Sequence, residues 1–158
     1  MLKNSLKWLP VRCFVLIIAV VACNAKKENN DGLISLNEIE DIKTRQYAIE
    51  GQLLYANYCA NCHQKDGAGL GKLIPPLQNA DFMLADTGRT IRLIKHGIKG
   101  EITVNGVNYN QPMPGNPQLT NLEIAEIATY IYTVFGGHEK RVEASEVKKN
   151  LETTKETD

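Results

Sequence analysis

The pentad Cys59-Ala60-Asn61-Cys62-His63 constrains this chain more than any other feature. Two cysteines separated by two residues, with a histidine following at once, put two thiols and an imidazole within one helical turn. Positions three and four apart share a helix face. Each thiol can then add across one vinyl group of a haem while the imidazole reaches the iron, which is the chemistry a C-x-x-C-H run implies. Three other uses of paired cysteines fit less well. A thioredoxin-like pair sits in a βαβ unit, whereas the residues before Cys59 have a helical pattern. A zinc site needs two more ligands, and only His96 and His138 remain, with no second cysteine pair. A disulfide across so small a loop is strained.

The N-terminus bears on where such a site is assembled. Residues 1–22 carry Lys3, Lys7 and Arg12 and no acid, and Cys13 to Ala22 is an unbroken apolar run. A basic start followed by a short apolar stretch predicts a secretory signal peptide. The run is short for a membrane-spanning helix, which needs about 20 apolar residues. It ends in Val20-Val21-Ala22-Cys23, which resembles a bacterial lipobox with Val where Leu is commoner. The resemblance implies cleavage before Cys23 and lipid on its thiol. The alternative is an uncleaved anchor, and both readings export the rest of the chain. The expectation is a membrane-anchored lipoprotein facing the periplasm or the outer cell surface. Cleavage removes three basic residues and no acid from a chain of zero net charge, leaving the mature protein at −3. That balance offers no basic surface for nucleic acid.

The rest divides by composition. Residues 23–46 begin as a polar tether. Ser35 and Glu38 there have capping-box spacing, and Leu36, Ile39 and Ile42 recur every three residues, which predicts a short amphipathic helix. Residues 138–158 are mostly charged; Val142, Val147 and Leu151 are too sparse for a core-facing stripe, so a frayed helix or disordered tail is expected. Residues 47–137 hold nearly all the aromatics. A unit of about 90 residues has a marginal core of its own, and a buried haem would complete it.

Within that unit, Ile49, Leu53, Leu54, Ala56 and Tyr58 predict a helix over 47–61, with Gly51 marking a close helix crossing. Residues 88–96 predict another. Asn105-Gly106 between two short apolar runs predicts a β-hairpin over 102–109. Thr120 and Glu123 form a capping box, Leu119 and Ile124 a hydrophobic staple, and Ile124, Ile127, Ala128, Ile131 and Val134 the inward face of a last helix that ends at Gly136 or Gly137.

The iron's second axial position has four candidates: Met83, Met113, His96 and His138. Met113 lies between Pro112 and Pro114, so it sits on a stiff loop that can present a thioether at a fixed distance. Met83 has ordinary helical or core surroundings, His96 ends a short helix and His138 begins the charged tail. Met113 is the preferred ligand.

These pieces, in this order, make residues 47–137 similar to a class I, mitochondrial-type c-type cytochrome domain. The resemblance implies an all-α cytochrome c fold: three to five helices around one covalently attached haem c, with a small hairpin before the methionine loop. Gly51 and Tyr55 match that family's helix-crossing positions, and Ile127 and Tyr130 match the partner pair. Pro75-Pro76-Leu77 matches the loop whose proline carbonyl holds the proximal imidazole, with Pro75 the expected acceptor. Cys59 and Cys62 would attach the haem; His63 and Met113 would ligate the iron. The mature chain lacks the tryptophan that often sits near a propionate, leaving Arg89, Arg92 or Tyr109 for that place. The implied function is single-electron transfer between redox proteins of the cell envelope, without substrate chemistry of its own. A dedicated electron-entry subunit of a membrane respiratory complex is one alternative; a haem enzyme or small-ligand sensor is another.

Overall fold

A computed structural model describes residues 33–153. The signal-peptide and Cys23 readings, the first part of the tether and the last five residues of the tail lie outside the described residues. The described chain is mainly helical, with two small two-stranded sheets.

The first long helix, α1, runs Ile42–Tyr58 and is capped by Asp41, whose carboxylate accepts from Thr44 N at 2.7 Å. It starts earlier than its apolar pattern suggests, inside the expected tether. The buried face also differs. Thr44, Ala48, Gly51 and Tyr55 are buried, while Ile49 and Leu53 stay 42% and 57% exposed. Small residues, rather than the largest aliphatic ones, choose the face, because α1 crosses the last long helix closely. A Cβ on Gly51 would lie 2.0 Å from the Glu126 carbonyl oxygen.

That crossing partner, α5, runs Asn121–Tyr130. Its capping box is formed: Thr120 N donates to the Glu123 carboxylate at 2.7 Å, and Glu123 N donates to Thr120 Oγ1 at 3.3 Å. Ile124, Ile127, Ala128 and Ile131 are buried and Val134 is half-buried. After Tyr130 the helix widens into a π-helical turn, Ile131–Phe135, ending at Gly136. Tyr55, Tyr130 and Phe135 meet with ring centroids 5.2–5.4 Å apart, joining α1 to both parts of this helix.

Between the two long helices come α2 (Ala60–His63), α3 (Asp81–Leu84) and α4 (Thr87–His96). Then follow β1 (Gly97–Ile98), β2 (Ile102–Val104), β3 (Val107–Tyr109) and β4 (Met113–Pro114). The β2–β3 hairpin pairs Val104 with Val107 around Asn105 and Gly106, whose φ values of 49° and 76° suit a two-residue hairpin turn. The second sheet pairs β1 with β4, setting Ile98 opposite Met113.

The flanking segments correct two expectations. Ser35 and Glu38 do form a capping box, but it closes a 3₁₀ turn of three residues, Leu36–Glu38, and Ile42 is 69% exposed rather than part of one stripe. Ile39 is buried there. Residues 138–153 are not a disordered tail: α6 (Ala144–Glu152) packs on α4 and α5, with Val142 and Val147 fully buried. Ala144 and Leu151 also pack against the core, and polar contacts add to the anchoring. Val142 N donates to the buried Thr129 hydroxyl at 3.0 Å, and Arg141 bonds Asp41 at 2.5 Å and Glu143 at 2.6 Å. The Glu139 carboxylate accepts from the backbone N–H groups of Glu40 and Asp41 at 3.0 and 2.8 Å.

Candidate functional site

The cysteine–histidine motif occupies the turn that follows α1. Cys59 N donates to Tyr55 O, and His63 N donates to Cys59 O, both at 2.9 Å, so α2 is a single helical turn. Cys59, Cys62 and His63 all border one cleft. Cys59 is half-buried, Cys62 is exposed, and the two are not joined in a disulfide. Burial, with a smaller contribution from Cys62, pushes the Cys59 thiol up to about 12.

His63 is buried, and its Nδ1 stands 3.1 Å from the Pro75 carbonyl oxygen. A carbonyl only accepts, so Nδ1 carries the proton and Nε2 keeps the lone pair a metal needs. Burial lowers the affinity of His63 for a second proton, and the Pro75 bond opposes this only in part. The ring is therefore held neutral, the form that ligates a metal. The Tyr55 hydroxyl donates to Gln64 O at 2.7 Å, tying the end of the motif back to α1.

The cleft is walled mainly by apolar side chains, among them Leu77, Phe82, Ile94, Ile98 and Ile131. That is the character of a site for a large apolar ligand. Met113 borders it from β4, held between two prolines and against β1. Gly97 permits this approach: its φ is 76°, and a Cβ there would lie 2.3 Å from Met113 O. Met83 borders it too, from α3, with its carbonyl taken by the Tyr132 hydroxyl at 2.7 Å. His96 and His138 are exposed and do not line the cleft.

The propionate candidates separate in the same way. Tyr109 is buried at the cleft wall. Arg89 lies over the Phe82 ring, 3.8 Å from its centroid, and donates to Phe82 O. Arg92 pairs with Asp86 at 3.9 Å. Neither arginine lines the cleft. Phe82 and Gln111 are cleft residues that sequence reasoning missed. Nothing local marks them, since their place depends on how α3 and the chain before β4 fold over the motif.

The residues present fit a covalently held haem. Two thiols and a neutral imidazole share one turn at the edge of an apolar cleft, and a methionine enters from a separate element. Among the described residues no group of three or more His, Cys, Asp and Glu is arranged to hold a metal ion.

Comparison with known proteins agrees. The family model described as cytochrome c matches residues 48–135. Two proteins named cytochrome c-552, both from Thermus thermophilus, are 36% identical over 95 residues. The matched part is 58% of this chain and covers 72% of one relative and 64% of the other.

Proposed function

This chain belongs to the cytochrome c family and carries a class I c-type cytochrome domain, and we propose that it is a monohaem electron carrier of the cell envelope with His63 and Met113 as axial ligands. The observation that carries this reading is the convergence of Cys59, Cys62, His63 and Met113 on one apolar cleft. Haem, when bound, supplies a one-electron iron couple.

The chain's own residues account for the remainder. The thiols of Cys59 and Cys62 would hold the haem, each through addition of S–H across a vinyl C=C, which needs no oxidant. Pro75 fixes the tautomer and orientation of His63. Met113, stiffened by its prolines, would ligate the iron and shield it from outside ligands, and its thioether would favour the reduced metal. The apolar wall excludes water, so little solvent reorganises when charge changes in the cleft.

The N-terminal sequence supports export and a lipid on Cys23, which would hold the carrier near membrane donors and acceptors and raise its effective concentration. Redox proteins, including a membrane respiratory complex, are the expected partners. Labelled fatty acid should enter the wild-type chain and not a Cys23→Ala variant; equal labelling would remove the anchor.

The ligand set is tested by substitution. Met113→Ala should abolish the red-end methionine–iron absorption band and open the iron to added cyanide or imidazole, whereas Met83→Ala should keep the band. The reverse result would transfer the role to Met83. A five-coordinate high-spin ferric spectrum in the wild-type protein would overturn the carrier reading.

A further inference from the structure

A buried polar relay links the C-terminal flank, beyond the family-matched residues 48–135, to the wall of the cleft. Lys140 is half-buried, and its ammonium lies 4.4 Å from the Tyr132 ring centroid and donates to Thr87 Oγ1 at the start of α4. Tyr132, fully buried on the π-helical turn, donates its hydroxyl proton to Met83 O at 2.7 Å and stands 3.1 Å from Thr90 Oγ1. Thr90 Oγ1 is in turn 3.4 Å from Met83 O and 3.1 Å from Asp86 O. Met83 and Thr90 both line the cleft.

We propose that Lys140 is a positioning residue for the haem cleft, acting through the Tyr132 hydroxyl to fix the Met83–Thr90 wall. The inference rests on the reading that this cleft holds a covalent haem. Three physical effects point the same way. A cation over a phenol ring is attracted to the ring face and strengthens the O–H as a donor. The strengthened bond fixes α3, a helix of four residues with little stability of its own. With its carbonyl held, the Met83 backbone keeps its place at the cleft wall. In addition, a half-buried positive charge near the cleft favours the state that has gained an electron.

The test uses the full-length holoprotein and begins with pyridine haemochrome. If the wild type carries no covalent haem, the functional reading itself fails. With haem present, Lys140→Met should lower the midpoint potential and broaden or weaken the methionine–iron band, and Lys140→Arg should restore both. Tyr132→Phe keeps the ring and removes the hydroxyl, so it remains informative if Lys140→Met does not fold. It should lower the potential as well, and combining it with Lys140→Met should give less than the sum of the two shifts. A lowered melting temperature with unchanged potential and band in both variants would mean that the contact is only structural and overturn the proposal. Additive shifts would equally overturn the relay.

Discussion

The family-matched domain and the segments that flank it are built on different physics. Inside residues 48–135, order follows from shape: Gly51 lets two helices touch, three aromatic rings interlock, and apolar side chains wall a cleft. The flanks, residues 33–47 and 136–153, lay Leu33, Leu36, Ala144 and Leu151 on the domain's core and are also held by directed polar contacts across very long sequence separations. Glu139 reaches backbone groups 99 and 98 positions away, and Arg141 reaches a carboxylate 100 positions away. Burial of Ile39, Val142 and Val147 then completes the attachment. A hydrophobic face tolerates substitution if volume is kept, whereas a polar clasp depends on each partner being present. The flanks are therefore folded parts of the protein that composition alone would assign to linker and tail.

The sharpest way to break this contrast is at Gly51. Gly51→Val should destabilise the holoprotein by about 3 kcal/mol or more in chemical denaturation, because backbone rather than a yielding side chain blocks the new methyl groups. A loss below about 1 kcal/mol would mean that the helices need not meet there. Val147→Ala tests the other side. Two buried methyl groups and the space they leave are worth about 2 kcal/mol. No measurable loss would return residues 138–153 to the status of a frayed tail.

The smallest effect concerns acid. Asp41 is held below the ordinary carboxylate range, first by hydrogen bonds from Thr44 and then by Arg141; Glu143 is held down chiefly by its bond to Arg141. A carboxylate whose folded pKa is depressed stabilises the fold above its unfolded pKa, near about 4, and loses that contribution as pH falls through the folded value. Acid should therefore loosen the flanks before the domain. Backbone amides of α6 should gain hydrogen exchange on going from neutral pH to about pH 3 by more than those of α5, after correction for intrinsic rates. Equal changes in the two helices would show that the clasp adds nothing. High salt at neutral pH should produce a weaker version of the same difference, since these groups lie at the surface.

How far the site could be read in advance depends on the range of each signal. The Cys59–His63 turn, the Thr120 capping box and the Asn105-Gly106 hairpin each rest on residues within a few positions of one another, and each is present where the chain predicts it. The four axial-ligand candidates were visible as residue types, and the prolines flanking Met113 already favoured it among them. Folding leaves Met83 and Met113 at the cleft and His96 and His138 outside it. Tyr109, Arg89 and Arg92 looked equivalent until Arg89 was seen committed to Phe82 and Arg92 to Asp86.

The sequence by itself determined the haem-attachment chemistry, the family and the local helix and turn signals, because covalent spacing, capping and positive-φ turns act over one or two turns of chain. Only the tertiary structure decided which face of α1 is buried, which candidates reach the cleft, and that a charged C-terminal segment folds back to within contact of Tyr132. Those outcomes depend on close approach between backbones and on polar partners about a hundred residues apart, and neither leaves a periodic trace in the chain.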